Sequence, residues 1–158
     1  LFFTVLAAFL LTATAESGSD SALERFFIGK TEGSGTVDMI ASRRHAVRDR
    51  TQGHRDASGA LILDQTVEEE GKPARRRAWR LVRAGGGRIT GTISDVRGGV
   101  AGDLTGNTLH LRYRMADGPS VEQWITLQPD GRTAKYRMIF HRFGLKVATV
   151  EGLIRRVE

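Results

Sequence analysis

Acid–base chemistry in this chain would fall to Asp95 or Asp64, either carboxylate working near the guanidinium of Arg80. A carboxylate beside a cation inside a cavity can take and return a proton, as isomerases and cyclases require. Asp95 directly precedes Val96-Arg97-Gly98-Gly99, so its oxygens are also placed to accept turn N–H groups, and this structural role is the favoured one. Trp79, Arg80, Asp95, Tyr113 and Trp124 form the candidate ligand-binding set, because an indole or phenol in a cavity offers an apolar plate with a polar edge. Tyr136 is grouped with them as a core or lumen residue.

Other chemistries lack their residues. His45, His54, His110 and His141 fall on separate segments with no metal-ligand spacing, so no metal is expected. There is no cysteine, hence no thiol nucleophile and no disulfide, and no Gly-x-Ser-x-Gly elbow. The glycines at 85–87 lack the Lys-Ser/Thr of a phosphate loop and read as a hairpin turn. No catalytic residue is assigned, and no cofactor is expected.

The elements that must position these residues are strands. Short alternating runs of β-branched and aromatic residues recur about every ten residues, bounded by Gly, Asp or Pro, and no segment after residue 27 keeps a helical period. Strands are expected at 33–41, 43–54, 61–70, 75–83, 88–95, 100–104, 108–115, 121–128, 133–141 and 146–155. Gly98-Gly99 and Gly106-Asn107 are the turn signals of the central meander. A helical turn is expected at 21–27, with Ser21 and Glu24 at capping-box spacing.

One hairpin carries a charge pattern. With a turn centred on Lys72-Pro73, Glu70 would face Arg75, Glu69 Arg76 and Glu68 Arg77, each pair supporting the register by roughly 0.2–1 kcal/mol. That register puts Thr66 opposite Trp79 and Asp64 opposite Leu81, with Leu63, Gln65, Val67, Ala78, Arg80 and Val82 on the other face. Neither face is wholly apolar. A mixed inner face points to a lumen holding a few polar groups, as in a ligand-binding barrel.

The chain has 158 residues, one domain by length, with 24 Lys and Arg against 18 Asp and Glu and a net charge of +6. Residues 1–15, an apolar run followed by Ala13-Thr14-Ala15, read as a secretory signal peptide that has lost its start; 16–22 is a linker and 23–158 the barrel domain. The expected location is therefore the periplasm or the exterior. Arginines at 43, 44, 48, 50 and 55, and at 112, 114, 137, 142, 155 and 156, make an anionic membrane surface a candidate partner. Nucleic acid is not expected, and the chain should be a monomer.

The order FFIGKTEGSGTV, RAWRLV and DVRGGVAGDLTGNTLHLRYRM resembles the bacterial family of unknown function DUF3833. The matched features are Phe27, Gly29, Gly35, Arg77-x-Trp79-Arg80 and the run from Asp95 to Asn107. The resemblance implies an envelope protein with a lipocalin-like barrel and brings no activity with it. Many relatives look like lipoproteins with a cysteine after the signal, where this chain has Glu16.

The expected fold is thus all-β, an antiparallel meander of about ten strands closing into a lipocalin-like barrel. Three functions follow. The leading one is a non-catalytic carrier of a small hydrophobic or amphipathic ligand. The second is an envelope structural or interaction protein with a packed interior and an arginine-rich outer face, which a lumen filled by Trp79, Trp124, Met138 and Phe140 would favour. The third is a barrel isomerase or cyclase using Asp95 or Asp64.

Overall fold

Residues 20–157 are described by a computed structural model. The chain runs α1 (Ala22–Phe26), β1 (Gly29–Met39), β2 (His45–Arg55), β3 (Leu61–Glu69), β4 (Arg75–Arg83), β5 (Arg88–Ile93), β6 (Val96–Thr105), β7 (Thr108–Met115), β8 (Ser120–Leu127), β9 (Thr133–Arg142) and β10 (Leu145–Val157). Each strand pairs antiparallel with the next, and β10 returns to β1 from Lys30↔Val157 to Met39↔Ala148, closing the barrel. Closure leaves no free sheet edge among the described residues, which suits a cysteine-free domain.

Period-two alternation sets the inside. In β8, Val121, Gln123, Ile125 and Leu127 are buried; in β7, Leu109, Leu111, Tyr113 and Met115 are buried while Arg112 and Arg114 are exposed. The interior side chains of all ten strands form one apolar core with Leu23, Phe26 and Phe27 of the N-terminal helical turn. This ladder and core are built from residues 20–157. The proposed signal peptide, 1–15, lies outside the described residues, as does most of the linker.

α1 plugs one end of the barrel. Ser21 Oγ accepts from the Glu24 N–H at 3.1 Å and the Glu24 carboxylate accepts from the Ser21 N–H at 2.8 Å, the reciprocal capping box its sequence implies. Glu24 also receives Arg83 Nε at 3.0 Å and lies 3.4 Å from Arg55 Nη2, tying the plug to β4 and β2. Gly53 makes the seat: a Cβ there would stand 1.9 Å from the Phe27 carbonyl oxygen.

Two local expectations are corrected. The β5–β6 turn is Ser94-Asp95, and Gly98-Gly99 lie inside β6, where the register with β7 shifts between Arg97 and Ala101. Gly98, at φ 70°, absorbs this bulge. The β3–β4 register pairs Leu63↔Trp79, Gln65↔Arg77 and Val67↔Arg75, three residues from the charge-matched alignment. The glutamates face elsewhere: Glu68 meets Arg50 of β2 at 2.8 Å, and Glu69 meets His45 at 2.6 Å and Lys72 at 3.1 Å. Because a shift by an odd number exchanges faces, Leu63, Gln65, Val67, Arg77, Trp79 and Leu81 share the interior.

Candidate functional site

At the end opposite α1 the lumen opens as a cavity of about 530 Å³, within the range of small-molecule pockets. Val37, Met39, Val47, Val67, Met138 and Phe140 supply its apolar wall. Asp49, Gln65, Arg77, Gln123 and Tyr136 supply polar groups. Asp49, Gln65 and Gln123, with Trp79, also border a void of about 40 Å³ beneath, so the polar belt is the floor of a cup.

Arg77 is the floor's charged member. It shares the inward parity of Trp79 and Leu81 and is 5% exposed. Its Nε donates to Asp95 Oδ1 at 2.9 Å and lies 2.8 Å from Oδ2, and its guanidinium stacks over Trp79. Its Nη2 is buried and, among the described residues, has no hydrogen-bond partner. A buried donor left unpaired costs about 1–3 kcal/mol.

The remaining belt is largely cross-bonded. Trp79 Nε1 donates to Gln65 Oε1 at 3.0 Å, and the Tyr113 hydroxyl donates to Gln123 Oε1 at 2.7 Å. Gln123 thereby spends its carbonyl and keeps its amide N–H₂ as a donor. Thr51 Oγ1 donates to Asp49 Oδ1 at 3.3 Å. Burial pushes the Asp49 carboxyl up, against hydrogen bonds from Gln65 and Thr51 and the charge of Arg77. Burial raises Tyr113, and burial together with the Asp49 charge raises Tyr136, so both phenols are protonated donors.

Of the residues singled out in the sequence, Trp79 lines the cavity and Tyr113 is buried just behind it through Gln123. Asp95 sits in the β5–β6 turn at the open end and meets Arg77, not Arg80. Arg80 faces outward, donating to Ser58 Oγ at 2.9 Å and pairing with Asp56 at 3.5 Å. Trp124 also faces outward, stacked on His110 at 4.6 Å between ring centres. Asp64 is exposed on the exterior. The interior neighbours of these residues, Arg77 and Gln123, are the ones that reach the cup. Parity is the signal that finds them: Arg77 shares it with Trp79 and Leu81, Gln123 with Val121 and Ile125, and Asp49 with Val47 and Thr51.

Several arginines of the outer face are paired with carboxylates of the same face. Arg44 pairs with Asp38, Arg50 with Glu68, Arg112 with Asp103, Arg137 with Glu151 and Arg155 with Glu32. A depression of about 630 Å³ outside β1–β4 is lined by the same mixture of cations and carboxylates, including Lys30, Glu32, Arg50, Asp64 and Arg76.

Solved structures share this architecture. The S-type phycobiliprotein lyase CPES from Guillardia theta aligns with a TM-score of 0.67 at 11% identity, over 85% of this chain and 91% of the other. Rv2717c from M. tuberculosis aligns with a TM-score of 0.65 at 14% identity, over 87% and 98%. A DUF3598-family protein of unknown function from Nostoc punctiforme aligns with a TM-score of 0.62 at 13% identity, over 84% of this chain and 48% of that one. At such identities the likeness is one of fold. No curated protein matches the chain. The family model described as "Protein of unknown function (DUF3833)" matches residues 2–156, and the chain therefore belongs to the DUF3833 family.

Proposed function

We propose that this protein is an exported, non-catalytic carrier that holds a small amphipathic molecule in its barrel, tail against the apolar wall and head group on the polar floor. The observation that carries this reading is the cavity of about 530 Å³ itself, apolar along its wall and polar at a floor that includes the buried guanidinium of Arg77. The Arg77 guanidinium, the Gln123 amide and the Tyr136 hydroxyl, all on the cavity lining, are donors, so the head group they suit is an acceptor such as a carboxylate or carbonyl. The phycobiliprotein lyase neighbour is consistent with a ligand-holding barrel and lends support at the level of fold.

Native mass spectrometry of protein purified gently from its own envelope, followed by organic extraction, tests the reading. An amphiphile released in stoichiometric amount on denaturation supports it. Protein that emerges empty and takes up nothing from a broad panel of fatty acids and phospholipids overturns it.

A further inference from the structure

The rim of the cup is apolar on one side only. Three large apolar side chains stand in solvent there: Ile40 is 68%, Phe143 96% and Leu145 70% exposed. They belong to neighbouring segments. β1 and β10 stay paired up to Met39↔Ala148, the Ile40 N–H donates to the Val147 carbonyl at 3.0 Å, and Arg142↔Leu145 closes the β9–β10 hairpin. The three side chains thus crown one corner of the mouth.

Phe143 is held there in an unfavourable conformation. It has φ 51° and Gly144 has φ 75°, the two positive values of a tight hairpin whose preferred sequence is Asn-Gly. A bulky aromatic residue is costly in the left-handed region, and at 96% exposure Phe143 recovers almost nothing by packing within the barrel. Strain of this kind marks a place where the side chain is used by something outside the fold.

Charge identifies the occupant. Arg43 and Lys146 flank the tip and have no carboxylate partner among the described residues, and Arg142 makes only a long hydrogen bond, 3.5 Å, to the Asp117 carbonyl. Of the nearby carboxylates, Glu69 and Asp38 are already paired, with Lys72 and His45 and with Arg44, and Asp117 stands beside Arg142. An aromatic and two aliphatic side chains surrounded by cations match the interfacial layer of an anionic bilayer, where rings sit at headgroup level and lysine and arginine meet lipid phosphates. A second copy of the chain fits less well. Three side chains on two loops fall far short of a stable protein interface, and the flanking cations would repel their own kind.

We infer that Ile40, Phe143 and Leu145 insert into the headgroup region of an anionic phospholipid bilayer and seat the barrel with its mouth toward the membrane. This docking does not depend on what the lumen holds.

The test is co-sedimentation of residues 16–158, which exclude the apolar N-terminal run, with vesicles of equal parts phosphatidylcholine and phosphatidylglycerol or of phosphatidylcholine alone. The variant is Phe143→Asn, which suits the turn and so preserves the fold; thermal melting confirms this. The parent is expected to sediment with the mixed vesicles and less with the neutral ones, and Phe143→Asn to weaken binding by about tenfold or more with an unchanged or higher Tm. Failure of the parent to bind, or equal binding by parent and variant, overturns the inference. So does a dimer in light scattering that Phe143→Asn dissociates, since the tip would then be a self-interface.

Discussion

The guanidinium carbon of Arg77 stands 4.8 Å from the centre of the Trp79 ring, two residues along the same inward face of β4. The ring shields one face of the cation while Asp95 holds its Nε edge, and Nη2 is buried without a hydrogen-bond partner among the described residues.

Removing Asp95 should therefore expose how much the cation depends on it. Asp95→Asn leaves a buried arginine without its counter-charge and is expected to cost about 2–4 kcal/mol in urea unfolding. The double variant Arg77→Met with Asp95→Asn should recover most of that loss, because the desolvated charge goes with its partner.

Tryptophan fluorescence separates inside from outside. Trp79 lines the cup and Trp124 stacks on His110 at the surface. Titration with a bound amphiphile should change the emission of Trp124→Phe as it does the parent, and leave that of Trp79→Phe nearly flat.

The plug gives the barrel an acid-sensitive joint. Burial opposes ionisation of Glu24, but the hydrogen bonds from Arg83 and Ser21 and the charge of Arg83 outweigh it and hold its pKa at about 2. A carboxylate depressed in the folded state stabilises above its unfolded pKa, and that contribution fades as pH falls from about 4.5 toward 2. Glu24→Gln keeps a capping acceptor but loses the charge. It should lower stability at neutral pH by about 2–3 kcal/mol, with the difference from the parent vanishing in acid.

Asp49 has the opposite sign. Burial raises it, so the folded state binds the proton more tightly and stability falls as pH rises above the unfolded carboxylate value. Asp49→Asn, measured by thermal melting across pH, should be more stable than the parent at neutral pH and nearly equal to it in acid.

Gly53→Ala should disturb the plug directly. A methyl group 1.9 Å from the Phe27 carbonyl forces α1 outward, at a cost of about 1–3 kcal/mol. Faster amide exchange across residues 22–28 than across β7 would locate the damage.

The strands were legible because each alternates, and all ten expected strands correspond to observed ones within a few residues at each end. Register was not. Charge matching across the β3–β4 turn looked decisive, yet the β3–β4 ladder ends at Val67↔Arg75, and Glu68 and Glu69 find cations on β2 and in the loop instead. A surface ion pair is worth too little to fix a register that the burial of Leu63, Val67 and Trp79 decides. The site followed the same logic. Arg80 and Trp124 have suitable chemistry on the wrong parity, whereas Arg77 and Gln123 have ordinary chemistry on the right one.

The helical plug has a consequence for traffic. With Phe27 and its neighbours filling the far end, leaving a gap of about 20 Å³ there, the described residues form a vessel with a single door. On the carrier reading proposed above, cargo would have to back out the way it came, and a newcomer could not push an occupant through. Such a vessel can store or deliver, but it cannot serve as a conduit, and what stands on the doorstep governs both filling and emptying.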